Sequence, residues 1–250
     1  ELWEISYDPK AEDIFEGLVH DYRMGEGIAK RGFHNAKRTQ LSEPLDDFFF
    51  DQGYIHVLGA SRGKPAQAST EAAPPSAQVI NLDVRRRIAT LPIAGMPHLG
   101  SGITFAWNGT TVMASPNLKD GALDVIDMKT WKAVKTIATP GPGFFLRSHE
   151  NSRFAWTDSM MSATAKDTLT IIDKRTLEVV AQVIEPGRTL AHIEFTKDGR
   201  FALASLWEND GALIVYDAVT FKEVKRLKMN KPVGKYNVWN KISRSEGTSH

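Results

Sequence analysis

Leu213-Ile214-Val215-Tyr216-Asp217 runs through a short turn into Glu223-Val224-Lys225-Arg226-Leu227, and the same phrase recurs upstream. Leu169-Thr170-Ile171-Ile172-Asp173 leads into Val179-Val180-Ala181-Gln182-Val183, and Leu123-Asp124-Val125-Ile126-Asp127 leads into Ala133-Val134-Lys135-Thr136-Ile137. Val79-Ile80-Asn81-Leu82-Asp83, followed by Arg87-Ile88-Ala89-Thr90-Leu91, is a fourth copy. Aligned on their aspartates, the copies stand 44, 46 and 44 residues apart. Leu2-Trp3-Glu4-Ile5-Ser6-Tyr7-Asp8 reads as an earlier copy, 75 residues before Asp83 and so carrying an insertion. Runs rich in β-branched residues and closed by turn residues read as strands.

Each copy has a hairpin before it. Phe195-Thr196-Lys197-Asp198-Gly199-Arg200-Phe201-Ala202 places Asp-Gly between two apolar runs, a strong short-range hairpin signal. Phe50 to Val57 and Trp107 to Met113 repeat the form, and Glu150 to Trp156 is a looser copy. Four strands in each unit of about 45 residues predict an all-β chain folded as a β-propeller. A β-sandwich is the competing architecture, but sandwiches seldom keep so fixed a period. Five Asp-ended strands give about five blades, with short helical turns expected only near Ala11–Val19. The stretch at about 61–78, rich in Ala, Pro, Ser and Gly, is expected to be an exposed, mobile loop open to proteases.

Composition narrows the function. A net charge of +1 over 250 residues argues against nucleic acid as the main partner, since phosphate binding needs a concentrated basic excess. No run of about 18 apolar residues exists to form a membrane-spanning helix. The chain has no cysteine, which removes disulfides, thiolate zinc sites, cysteine nucleophiles and c-type haem attachment together. Any metal must then be held by His, Met, Tyr or a carboxylate. The opening Glu1-Leu2-Trp3 has no initiator methionine or signal peptide and reads as a trimmed product.

The loops from each outer strand to the next inner strand are expected on one face, near the central channel. They are rich in Gly and Pro and carry histidines: Pro97-His98-Leu99-Gly100, Pro140 to His149, and Pro186-Gly187-Arg188-Thr189-Leu190-Ala191-His192. His192 lies 19 residues after Asp173, and Tyr236 lies 19 after Asp217. His98, His149, His192, His34 and Tyr236 are therefore expected on one rim, with Arg147 and Arg188 nearby. Imidazoles clustered there can ligate a metal or act as acid and base. Taken singly, each histidine reads more readily as a structural residue bonding a turn of the next blade. His20, His56 and His250 have no such register.

At these residues the chain resembles the haem d1 domain of the cytochrome cd1 nitrite reductase family. The signatures are Pro97-His98-Leu99-Gly100-Ser101-Gly102, Phe145-Leu146-Arg147-Ser148-His149, Ser205-Leu206-Trp207 and Gly234-Lys235-Tyr236-Asn237-Val238-Trp239-Asn240. They recur in order, each in its own blade. The resemblance implies an eight-bladed propeller, of which this would be the C-terminal part. The N-terminal blades and any c-type cytochrome domain, with its c-type haem, would lie outside the chain. His192 and the Asn240–His250 ending look most like the branch that dehydrogenates dihydro-haem d1, since the reductase position matching His192 looks like glutamine.

The implied chemistry is the last step of haem d1 biosynthesis for denitrification, an oxidoreductase step in the periplasm. It converts a propionate to an acrylate and removes two electrons and two protons. By the same resemblance His98 would hold iron, and His192 and Tyr236 would be catalytic. His149, Arg188, Arg147 and Trp207 would bind the macrocycle, with Arg188 near its carboxylates. Cytochrome cd1 nitrite reductase would be a partner, as acceptor of the product. Two alternatives stay open within the family: the NirF branch of haem d1 biosynthesis, and nitrite reduction itself. A propeller serving only as an interaction scaffold is a third.

Overall fold

The computed structural model describes residues 1–6, 35–53, 55–63 and 75–234. The chain divides into two compact units. The smaller comprises Glu1–Pro44 with Asn81–Arg86. In it β1 (Leu2–Ser6) pairs antiparallel with β2 (Asn35–Thr39), Leu2 opposite Thr39 and Ser6 opposite Asn35. The apolar start of the expected earlier copy forms β1. Tyr7, Asp8, His20, His34 and the predicted helical turns near Ala11–Val19 lie outside the described residues.

The larger unit comprises Leu45–Ile80 and the chain from Arg87 onward. Its first blade is β3 (Asp47–Phe50), β4 (His56–Ser61), β5 (Ser76–Asn81) and β6 (Arg86–Thr90). The second is β7 (Ile103–Trp107), β8 (Thr110–Pro116), β9 (Ala122–Asp127) and β10 (Ala133–Ala138). The third is β11 (Leu146–Arg147), β12 (Phe154–Asp158), β13 (Thr168–Asp173) and β14 (Glu178–Ile184). The fourth is β15 (Leu190–Phe195), β16 (Phe201–Leu206), β17 (Ala212–Asp217) and β18 (Glu223–Lys228). Every sheet orders its four strands as they follow in sequence, the blade of a β-propeller. Asn108 and Gly109, both at positive φ, close the β7–β8 hairpin in two residues, as its tight twist requires.

Burial follows the repeat. β13 and β15 are buried along their whole length, whereas β18 is exposed at every residue. Three apolar clusters fill the spaces between consecutive blades. Phe49, Leu58 and Val79 of the first blade pack with Met113 and Ile126 of the second. Phe105, Val112 and Val125 meet Leu146, Ala155 and Ile172 of the third. Trp156, Leu169 and Ile171 meet Ile193, Phe195 and Ile214 of the fourth. Each Val, Leu, Ile, Met or Phe among them contributes about 1.5–3 kcal/mol by leaving water. The outermost strand leaves a free edge, and β18 lines it with Lys225, Arg226 and Lys228, which discourage pairing with another chain.

The repeat aspartate caps the turn after the third strand. Asp127 Oδ1 accepts the N–H groups of Lys129 and Thr130, and Asp217 Oδ1 those of Val219 and Thr220. In the first blade this place belongs to Asn81, whose Oδ1 accepts from Asp83 and Val84. The alignment on Asp83 is corrected by two residues, and the spacing from Asn81 to Asp127 and from Asp127 to Asp173 becomes 46 in both cases. Four residues beyond each cap the backbone turns left-handed, at Arg85, Trp131, Leu177 and Phe221. Trp131, Leu177 and Phe221 each reach the apolar cluster shared with the preceding blade, which offsets the cost of their conformation. The loop expected at 61–78 is also shorter than its composition suggests. Ser61 ends β4, and Ala77 and Gln78 are buried residues of β5.

Candidate functional site

Three loops deliver side chains to the start of the innermost strands β7, β11 and β15. The first carries His98, whose backbone N–H donates to Pro116 O and which precedes a single 3-10 turn, Leu99–Ser101. The second carries Phe144 and Phe145. Gly143 is needed here, because a Cβ would fall 2.4 Å from the backbone oxygen of Asp158. The third leads into β15, where pairing with β16 breaks between Ala191 and Glu194. His192 sits in that break at φ +53, a left-handed conformation uncommon for a non-glycine residue.

These loops build a row of rings across three blades. His98 lies 4.0 Å from Phe144 by ring centroids, Phe144 lies 4.7 Å from Phe145, and Phe145 meets the His192 ring edge-on at 4.2 Å. His98 Nδ1 is 2.6 Å from Phe144 O. A carbonyl can only accept, so Nδ1 carries a proton, and in the neutral ring the lone pair is on Nε2. Asp47 Oδ2 stands 3.8 Å from Nε2, beyond hydrogen-bond reach.

Beneath the row is Asp158, a fully buried carboxylate that the sequence did not single out. Its Oδ1 accepts from Phe144 N at 2.8 Å and its Oδ2 from His192 N at 3.2 Å. Phe145 N and Met160 N lie at 3.4 Å. The residue closing or following the second strand bonds the incoming loop in the neighbouring blades too, Asn117 Oδ1 accepting from Met96 N and Glu208 Oε1 from Thr189 N.

Burial pushes the Asp158 carboxyl up to about 6, with the backbone donors pulling the other way. The unfolded carboxyl titrates near 3.8, so the folded protein binds the proton more tightly. This contribution to stability is complete below about pH 4 and is lost as the pH rises through 6. It amounts to about 3 kcal/mol at most. In urea titrations the stability of the protein relative to its Asp158→Asn variant should therefore grow as pH falls from 7.5 to 4.5. A difference independent of pH would contradict this.

The remaining candidates separate. Arg188 stays on the rim beside Gly187, and its guanidinium donates to Asp210 O at 2.6 Å and pairs with Asp210 Oδ1 at 2.9 Å. It lines a cleft of about 490 Å³ with Asn209, Arg226 and Lys228. Trp207 follows β16 on the same rim, with its backbone N–H on Thr189 O. Its Nε1 is buried without an acceptor.

His149 is not on this rim. It follows β11 rather than preceding it, so it lies at the other end of the inner strand against the β15–β16 hairpin. Its Nε2 donates to Lys197 O, its Nδ1 accepts from Asn151 N, and no part of it is exposed. With both ring nitrogens used by backbone, it ties two blades together and has none left for a ligand. Arg147 is also an internal brace. It is 4% exposed, donates to Ser101 Oγ and Leu146 O, and faces Glu194 at 4.0 Å. Tyr236 lies outside the described residues. Among those described, no three His, Asp or Glu side chains gather to hold a metal ion. None of the described helices is long and apolar enough to cross a membrane.

Comparison with known proteins adds to this geometry. The chain is 50% identical over 240 residues to the dihydro-heme d1 dehydrogenase of Pseudomonas aeruginosa, an alignment covering 96% of this chain and 45% of that protein. The chain thus spans less than half the length of that curated relative. The solved structure of dihydro-heme d1 dehydrogenase NirN in complex with DHE superposes with a TM-score of 0.75 at 48% identity, over 84% of this chain and 43% of that one. The β-propeller domain of Myceliophteria thermophila Cps50 (Swd1) matches with a TM-score of 0.57 at 13% identity, over 79% of this chain and 59% of that one, a likeness of fold alone. The model of the cytochrome D1 heme domain matches residues 26–241. The chain belongs to the cytochrome D1 heme domain family.

Proposed function

We propose that these blades are part of a haem d1-binding oxidoreductase that dehydrogenates dihydro-haem d1, the final step of haem d1 biosynthesis. The observation that carries the reading is the ring row ending in His98 and His192, on a chain half identical to a dihydro-heme d1 dehydrogenase. The residues suit an iron tetrapyrrole. His98 Nδ1–H donates to a backbone carbonyl, which leaves Nε2 as the nitrogen that the neutral ring would offer to a metal. When bound, the macrocycle would be the substrate, and the two electrons it gives up would need an acceptor outside these blades.

The chain's own residues then hold and deprotonate. His98 is the iron-ligand candidate. Of the two protons released, His192, held in its strand break, is the base that takes the first from the propionate side chain, and Tyr236 orients that side chain or relays the second proton toward solvent. Arg188 offers a planar fork to a carboxylate in place of Asp210. Trp207 Nε1 has a donor to spare for the same ligand. Arg147 and His149 support the fold. A periplasmic location, and cytochrome cd1 nitrite reductase as acceptor of the product, complete the reading.

Absorption spectra of the full-length protein test it. Added dihydro-haem d1 should shift on binding and convert to the haem d1 spectrum, and nitrite should not be consumed. No spectral shift would leave a scaffold. Nitrite turnover without conversion would favour the reductase activity.

A further inference from the structure

We infer that Asp158 is a positioning residue that fixes the iron-ligand candidate and the base candidate relative to one another. The inference rests on the function proposed above. Its evidence is how the two carboxylate oxygens are shared. Oδ1 holds Phe144 through its N–H at 2.8 Å, and the carbonyl of the same residue fixes the His98 ring at 2.6 Å. Oδ2 holds His192 N–H at 3.2 Å. That second contact is made where β15 lacks regular pairing with β16, since the ladder steps from Ala191 opposite Ser205 to Glu194 opposite Leu203. Asp158 supplies an acceptor inside that irregular stretch, for a residue at φ +53. One buried side chain on the third blade therefore sets the loop of the second blade and the inner strand of the fourth.

Two acceptor oxygens are required, because the two donors come from different directions. An asparagine has nearly the same shape and only one acceptor oxygen. In Asp158→Asn either Phe144 N–H or His192 N–H must therefore face an N–H group. A carboxylate that only filled space would tolerate the change.

The test uses the full-length protein labelled with [15N]histidine, first without and then with dihydro-haem d1. Before the macrocycle is added, Asp158→Asn should move the ring nitrogen resonances of His98 or His192 and leave those of His56 unchanged. With substrate, kcat per bound macrocycle should fall at least tenfold while KM stays within about threefold, since the change misplaces reacting groups without removing a binding contact. Should that variant not fold, Asp158→Glu keeps both oxygens but displaces them by one methylene, and the same losses are expected. Unmoved resonances together with kcat within twofold of wild type, in either folded variant, overturn the inference. A wild-type protein that does not convert dihydro-haem d1 overturns the proposed function instead, and the resonances still decide the role of Asp158.

Discussion

Replacing His192 by asparagine in the full-length protein is expected to slow dehydrogenation of dihydro-haem d1 by a factor on the order of a hundred or more, the usual worth of a positioned general base. Asparagine is the informative choice. It tolerates the left-handed backbone that His192 adopts at φ +53, so the strand break should persist. It keeps a polar side chain yet cannot take a proton near neutral pH. Macrocycle binding should stay within a few-fold of wild type, because His98 and Arg188 are untouched. His192→Ala should lose activity equally and some stability as well, since the side chain is buried against Phe145. Conversion at the wild-type rate in either variant would remove His192 from the chemistry.

The second large effect concerns the fold. Trp156 on β12 is completely buried, packed beside Tyr216 and Phe221 in the cluster between the third and fourth blades. Trp156→Ala should cost about 3–5 kcal/mol, the lost transfer energy plus a cavity that rigid strands cannot close. Trp156→Phe should cost far less than its volume suggests. The indole Nε1 has no acceptor, so the change removes a buried, unsatisfied donor along with the ring. Urea unfolding of both variants checks the pair, and equal losses would show that ring volume alone matters.

The strands were legible because their chemistry is periodic. Thr168–Asp173 and Ala212–Asp217 show it directly, and the turn after each needs an oxygen acceptor on a short side chain. That same requirement explains the slip in the first blade. Asparagine offers the same oxygen as aspartate, so Asn81 does the work that a search for aspartate assigned to Asp83. The rim was only partly legible. Counting from the repeat aspartate gives a residue's distance along the chain, and β11 is two residues long, so His149, 22 residues after Asp127, lies past the strand at the far end. Arg147 looked like a ligand group because its counter-charge, Glu194, is 47 residues away in sequence and 4.0 Å away in space. Asp158 was hidden for the converse reason, since its partners are backbone groups, which have no letters of their own.

The apolar residues at positive φ after the third strands of the second, third and fourth blades bear on how the chain is made. Trp131 belongs to the second blade but completes the core of the first, Leu177 does the same for the second, and Phe221 for the third. During synthesis from the N-terminus, each blade emerges with an open seat in its wall. The seat fills only when roughly another repeat has left the ribosome, because the plug is encoded one unit downstream. Nascent chains should therefore gain protease resistance in steps of about one repeat, each lagging the blade it protects by one unit.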